Sequence, residues 1–138
     1  MDYENMTAPC GLDCFNCPVY LAAGNEELRA KIAAATGVPV ESVVCRGCRE
    51  EGGTIPFLGM SEPCNTYRCA AGRDVAFCCD CPDFPCDNLH PYADRASQVP
   101  HNTKVFNLCL IKRMGLQAWA ESKAKSVKQT YYKGTLRL

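Results

Sequence analysis

Twelve cysteines in a chain of 138 residues constrain this protein more than any other feature. That density approaches the level at which small proteins depend on cross-links or bound metal for stability. The cysteines form a C-x3-C-x2-C group at 10–17, a C-x2-C pair at 45–48, a C-x4-C pair at 64–69 and a CC-x-C-x4-C run at 78–86. Cys109 stands alone. Spacings of two residues are typical of metal sites, because one turn can present two thiolates to one ion.

The choice between disulfides and metal depends on the compartment, since disulfides persist mainly in oxidising surroundings. The N-terminal segment has neither the basic start nor the apolar run of a secretory signal. No apolar stretch approaches the roughly 20 residues that cross a bilayer. We therefore expect a cytoplasmic protein without a membrane partner, whose clustered cysteines bind metal.

Zinc is the metal that the cysteine pairs favour, because it prefers four tetrahedral ligands and ten grouped thiolates would serve about two ions. The predicted first site has a spacing close to that of a zinc ribbon and comprises Cys45, Cys48, Cys64 and Cys69. The preferred second site comprises Cys14, Cys17, Cys78 and Cys81. Cys10 and Cys86 are alternates in that site, or ligands of a cluster larger than one ion.

Two cysteines fit the metal hypothesis poorly. Cys109 lies among apolar helical residues, and Cys79 interrupts the pair formed by its neighbours, so both are expected to be small buried hydrophobic residues. The segment 45–86 has few large apolar side chains, although ordering it costs about 1–2 kcal/mol per residue. A structural zinc can contribute on the order of 10 kcal/mol, which makes metal the expected source of order.

An iron–sulfur protein is the alternative reading. Cys10, Cys14 and Cys17 could hold a 4Fe–4S cluster and give the protein a redox or electron-transfer role. The same spacing occurs in radical enzymes that use S-adenosylmethionine, but their barrels need a far longer chain. The only histidines, His90 and His101, are not at ligand spacing from a cysteine pair, and no complete catalytic motif is present. The sequence therefore favours a binding or interaction module over an enzyme.

The charge distribution is uneven along the chain. Residues 1–100 carry 7 Lys and Arg against 14 Asp and Glu, whereas residues 101–138 carry 8 against 1. The favoured interpretation is that the two segments neutralise each other within one fold. A second alternative is that the basic segment binds nucleic acid. A protein partner also fits an interaction module.

The predicted fold is a single domain of residues 1–138, small, irregular and α-rich within the α+β class. Residues 1–100 are expected to carry zinc knuckles, and residues 101–138 to form a basic helical segment. Asn25 and Gly37 predict the two ends of one helix. Further helices are expected at 64–73, 87–97, 102–114 and 115–128, with a loop or hairpin at 52–63 and an extended tail from Thr130.

Four short segments together resemble a known family: CGLDC at 10–14, CPVY at 17–20, CRGC at 45–48 and CxxCxxFPC at 78–86. They are similar to the motifs of a prokaryotic Cys-rich family, a domain of unknown function thought to bind zinc. The resemblance extends through MGLQAW at 114–119 and covers residues 10 to about 122. It implies a cytoplasmic metal protein without a known activity. The ligands that it implies are Cys10, Cys14, Cys17, Cys45, Cys48, Cys64, Cys69, Cys78, Cys81 and Cys86.

Overall fold

A computed structural model describes all 138 residues and shows a chain built almost entirely of helices and turns. The α-helices are α1 (Pro18–Leu21), α2 (Glu26–Thr36), α3 (Asn65–Gly72), α4 (Lys104–Met114), α5 (Leu116–Ser122) and α6 (Ala124–Lys133). Short 3-10 helices cover Cys14–Asn16, Ala22–Gly24, Val40–Ser42, Pro56–Leu58, Cys78–Asp80, Asp87–Leu89 and His101–Thr103. None of these helices is both long and apolar enough to cross a membrane.

The prediction of an α-rich chain is confirmed, but its β component is wrong. The one β interaction is an isolated antiparallel bridge between Thr7 and Asp13. The segment 52–63, predicted as a loop or hairpin, contains a 3-10 turn that ends at Gly59 with φ 72°. Glycine adopts that positive φ without strain, so the chain turns there instead of pairing as a strand.

Local capping explains why α2 lies where the sequence predicts it. The Leu28 N–H donates to the Asn25 side chain at 3.0 Å, which satisfies one of the free donors of the first turn. Gly37 ends the helix with φ 73°, and its N–H donates to the Ala33 carbonyl. Both signals act within a few residues of the helix and therefore do not depend on the rest of the fold.

The helix predicted at 87–97 is wrong. Only Asp87–Leu89 forms a 3-10 turn, and His90 then adopts an extended ψ of 139°. His90 precedes Pro91, whose ring disfavours the helical conformation for the residue before it. At the other end of the chain, α6 continues to Lys133, three residues beyond the position where an extended tail was expected.

One apolar core joins the cysteine-rich segments to the C-terminal helices. Its members are Ala8, Cys10, Phe15, Phe77, Cys79, Leu89, Leu108, Leu110, Ile111, Trp119, Ala120 and Ala124. Leu108 and Trp119 are fully buried, with no exposed surface. A smaller cluster of Ala22, Ala33 and Val43 lies under α2. The basic segment therefore belongs to the main core and is not an appended tail.

Candidate metal centre

Cys10 lies in a tight loop that is held by the C-terminal helices. The Gly11 N–H donates to the Ala8 carbonyl at 2.8 Å, and Gly11 itself has φ 84°. The Asn107 side-chain amide in α4 donates to the Gly11 carbonyl at 2.9 Å. Trp119 Nε1 in α5 donates in turn to Asn107 Oδ1 at 3.3 Å. Because Asn107 and Trp119 are buried, these bonds fix the loop from inside the core.

Cys14 and Cys17 flank one turn of 3-10 helix, in which the Cys17 N–H donates to the Cys14 carbonyl at 2.8 Å. The neighbouring Asp13 is only 2% exposed, and its Oδ1 lies 2.8 Å from Lys128 Nζ in α6. Its other carboxylate oxygen accepts from the Asn16 side chain at 2.9 Å. Sequence reasoning treats Asp13 as a turn residue, whereas the structure makes it a buried anchor for α6. No local signal identifies Lys128 as its partner.

The Cys45–Cys48 turn packs directly on Cys14. A Cβ placed on Gly47 would lie 3.7 Å from Cys14 Cβ and 3.2 Å from the Tyr20 ring, so the approach leaves room for little more than glycine. Gly47 also has φ 98°, which favours glycine. The turn is closed by the Gly53 N–H, which donates to the Cys48 carbonyl at 2.7 Å.

Arg49 connects this turn to two other segments that carry cysteines. Its Nε donates to the Thr7 carbonyl at 2.8 Å, and its Nη2 donates to the Ala76 carbonyl. The guanidinium also lies over the Phe77 ring, 5.1 Å from the ring centroid. The three chain segments that enter the cysteine region are thus joined by one side chain.

Cys64 begins α3 and closes on the same turn. Its N–H donates to the Gly53 carbonyl at 3.1 Å, and its sulfur accepts from the Tyr67 N–H at 3.4 Å as the helix N-cap. Gly53 lies so close to the Tyr67 ring that a side chain at this position would overlap it. Cys48 and Cys64 are therefore both bonded to Gly53.

Four cysteines from three elements line a single small cavity. They are Cys69 in α3, Cys78 in the following 3-10 helix, and Cys81 and Cys86 in the turn after it. The cavity has a volume of about 20 Å³, which exceeds the roughly 10–15 Å³ that a water-sized sphere requires. A space of this size and lining suits one ion and excludes an organic ligand.

A cation stands beside this cavity. Arg73 Nη1 lies 3.3 Å from Cys81 Sγ and 2.6 Å from Asp83 Oδ2. The hydrogen bond to Asp83 and the nearby charges of Cys81 and Asp83 raise the pKa of Arg73. The guanidinium therefore offers a charge-assisted hydrogen bond to a thiolate at the cavity, an element that spacing alone does not predict.

Burial is the main influence on the remaining thiols. It raises the pKa of Cys14 to about 11, and the N–H of Cys48 opposes this before the charges of Cys17, Cys45 and Cys10 raise the pKa further. Burial also raises the pKa of Cys48, followed by the charges of Cys10, Cys14 and Cys64. These thiols are protonated near neutral pH, so a metal that binds them must displace their protons.

The cysteines are grouped by the fold without being set at coordination distances. All twelve are free thiols. No three Cys, His, Asp or Glu side chains form a cluster tight enough to hold an ion as they are placed. The two predicted ligand sets each divide the four cysteines of the cavity, one taking Cys69 and the other taking Cys78 and Cys81.

The residues not assigned as ligands lie elsewhere. Cys79 is 1% exposed in the core, as predicted, whereas the prediction of a buried Cys109 is wrong because this residue is exposed on α4. His90 Nε2 lies 3.3 Å from Asp87, and a His101 ring nitrogen lies 2.8 Å from the Tyr92 carbonyl. Neither histidine lines the cavity.

Comparison with known proteins adds one finding. No curated protein and no solved structure matches the chain. A family model for a protein of unknown function, DUF3795, matches residues 6–91, a span that holds every cysteine except Cys109. The resemblance to a Cys-rich domain of unknown function is thereby confirmed over that span. With most of its length matched, the chain belongs to the DUF3795 family.

Proposed function

We propose that the protein binds a structural zinc ion through Cys69, Cys78, Cys81 and Cys86. The observation that carries this proposal is the single cavity that these four cysteines line. Four thiolates complete the tetrahedral shell that zinc prefers, and they leave no open position for substrate or water. Such a closed site supports a structural role, so the protein is proposed to be a zinc-dependent binding module and not a metalloenzyme.

The charge around the cavity supports this assignment. Zinc with four thiolates carries a net charge of −2, which is costly to bury without a partner. Arg73, at 3.3 Å from Cys81 Sγ, supplies a positive charge and a donor at that point. Partners of this kind outside the ligand shell orient the ligands and offset their charge.

The role of the ion follows from the segment that it would join. Residues 73–91 contain turns and two 3-10 helices, and Phe77, Cys79 and Leu89 are their only contributions to the main core. A structural zinc contributes on the order of 10 kcal/mol to folding. The ion would thus fix this segment against α3 and give the protein a defined surface for a partner in the cytoplasm.

Metal analysis of single variants tests the proposal. Protein purified without oxygen is analysed for zinc, iron and acid-labile sulfide, and Cys81→Ser is compared with Cys109→Ser, a control in an exposed cysteine. We expect Cys81→Ser to lose one zinc per chain and Cys109→Ser to lose none. A Cys81→Ser protein that retains all its zinc would overturn the assignment. Iron with sulfide at this site would replace it with the iron–sulfur alternative.

Chelation gives a second readout. Removal of zinc should abolish protection from hydrogen exchange between residues 69 and 91, because the cavity would lose its cross-link. Unchanged protection of this segment in verified metal-free protein would contradict a structural role. Re-addition of zinc should restore protection, which distinguishes metal loss from irreversible damage.

A further inference from the structure

The cavity leaves six other grouped cysteines to be explained. They are Cys10, Cys14, Cys17, Cys45, Cys48 and Cys64. One tetrahedral zinc would use four thiolates and leave two buried or half-buried thiols without a role. Six thiolates can complete the tetrahedral shells of two ions when two of the six sulfurs bridge both ions. The fold determines which two sulfurs are central enough to bridge.

Cys14 and Cys48 occupy the centre of this group. The Cys45–Cys48 turn packs on Cys14, as the 3.7 Å separation between a Cβ built on Gly47 and Cys14 Cβ shows. The backbone N–H of Cys48 also acts on the Cys14 sulfur. These contacts bring together two sulfurs from segments that are more than thirty residues apart in the sequence.

The other four cysteines fall on two sides of this central pair. Cys17 follows Cys14 by one turn, and the charge of Cys17 acts on Cys45, which begins the packed turn. Cys64 is joined to Cys48 through Gly53, at 3.1 Å and 2.7 Å. The four sulfurs thus form two pairs, each adjoining the central pair.

Cys10 completes the second side. It is 7% exposed and belongs to the core cluster against which Cys48 packs. The charge of Cys64 acts on Cys10, and both Cys10 and Cys64 act on Cys48. Cys10 therefore belongs with Cys48 and Cys64, whereas Cys17 and Cys45 adjoin Cys14.

We propose that these six cysteines hold a second centre containing two zinc ions, in which Cys14 and Cys48 bridge both ions. Cys17 and Cys45 are the terminal ligands of one ion, and Cys10 and Cys64 are those of the other. This inference rests on the proposed zinc-binding function and adds a binuclear centre to the mononuclear one. The protein then holds about three zinc ions per chain.

Positive side chains near the group suit its charge. Two zinc ions with six thiolates carry a net charge of −2. Lys104 in α4 is close enough for its charge to act on Cys10, and Arg49 acts likewise on Cys48. Arg49 is held in place by the Thr7 and Ala76 carbonyls, so its charge is fixed beside the centre.

Zinc stoichiometry separates a binuclear centre from a mononuclear one. The protein is loaded with excess zinc, freed of unbound metal and weighed by native mass spectrometry. We expect three zinc ions in the unaltered protein, two in Cys81→Ser and fewer than three in Cys64→Ser. Two zinc ions, both retained in Cys64→Ser, would overturn the binuclear centre and leave the proposed function intact. Full retention in Cys81→Ser would overturn the function at the cavity instead.

Cadmium substitution tests the bridges without any variant that could fail to fold. In protein loaded with 113Cd, the β-protons of Cys14 and Cys48 should each couple to the same two cadmium signals. The β-protons of Cys10, Cys17, Cys45 and Cys64 should each couple to one. Coupling of every cysteine to a single cadmium would overturn the bridging assignment even if three ions bind.

Discussion

The buried Asn107 side chain gives the sharpest test of how the C-terminal helices hold the metal-binding loop. Asn107→Ala removes the donor to the Gly11 carbonyl and the acceptor for Trp119 Nε1. Asn107 is 1% exposed, so water cannot replace either bond without entering the core. Each buried polar group left without a partner costs about 1–3 kcal/mol, and we expect a combined loss of about 4 kcal/mol.

Urea unfolding of the zinc-loaded protein measures this loss. Far-UV circular dichroism follows the helices, and the fluorescence of Trp119, the only tryptophan, follows the core. Coincident transitions would justify a two-state treatment. Arg113→Ala is the matched control, because Arg113 is exposed on the same helix and should change the unfolding free energy by less than about 0.5 kcal/mol.

The reasoning would be refuted if Asn107→Ala and Arg113→Ala had the same effect on the unfolding free energy. In that case the apolar contacts of α4 alone would hold the Cys10 loop. A large loss with unchanged zinc content would separate the stability of the helix contact from the positioning of Cys10. We expect zinc content to fall as well, because the bonded Gly11 is adjacent to Cys10.

Three further predictions concern packing at a distance from the cavity. A chain ending at residue 91 should remain largely unfolded with zinc present, because α4 and α5 supply much of the main core; poor dispersion of its amide NMR signals would show this, and a dispersed spectrum would contradict it. Lys128→Met should lower the unfolding free energy by about 3 kcal/mol, since it leaves a buried carboxylate without its cation; an unchanged urea midpoint would count against it. Gly53→Ala should destabilise by about 1–3 kcal/mol more than Gly52→Ala in thermal unfolding, because both positions have positive φ but only Gly53 faces the Tyr67 ring; equal melting temperatures would exclude the clash.

The elements of the fold that sequence reasoning predicts are those determined by neighbouring residues. Asn25 and Gly37 specify the ends of α2 through bonds that span a few residues. The break at Gly115, which has φ 83°, separates α4 from α5 as expected. Local chemistry also explains one error, since Pro91 ends a helix that the surrounding pattern favours.

The grouping of cysteines depends instead on long-range contacts that spacing does not encode. A C-x2-C spacing indicates that two thiolates lie near each other, but it does not indicate which other pair approaches them. The Cys78 N–H donates to the Pro9 carbonyl at 2.8 Å, which brings the 78–86 run beside the Cys10 loop. Cys69 faces that run from α3 and not the Cys45–Cys48 turn. The exposure of Cys109 is likewise set by how α4 packs against the core.

The matched family segment and the C-terminal helices depend on each other physically. Residues 6–91 contain all the proposed ligands, yet Leu108 and Trp119, the two core residues with no exposed surface, lie beyond that span. The polar contacts of these helices are made to Gly11 and Asp13, each adjacent to a proposed ligand. Because the helices grip the backbone next to Cys10 and Cys14, the position of the ligands and the docking of α4 and α6 are a single structural event. Metal loss in the cysteine-rich segments must therefore weaken the C-terminal helices, even though those helices carry no proposed ligand.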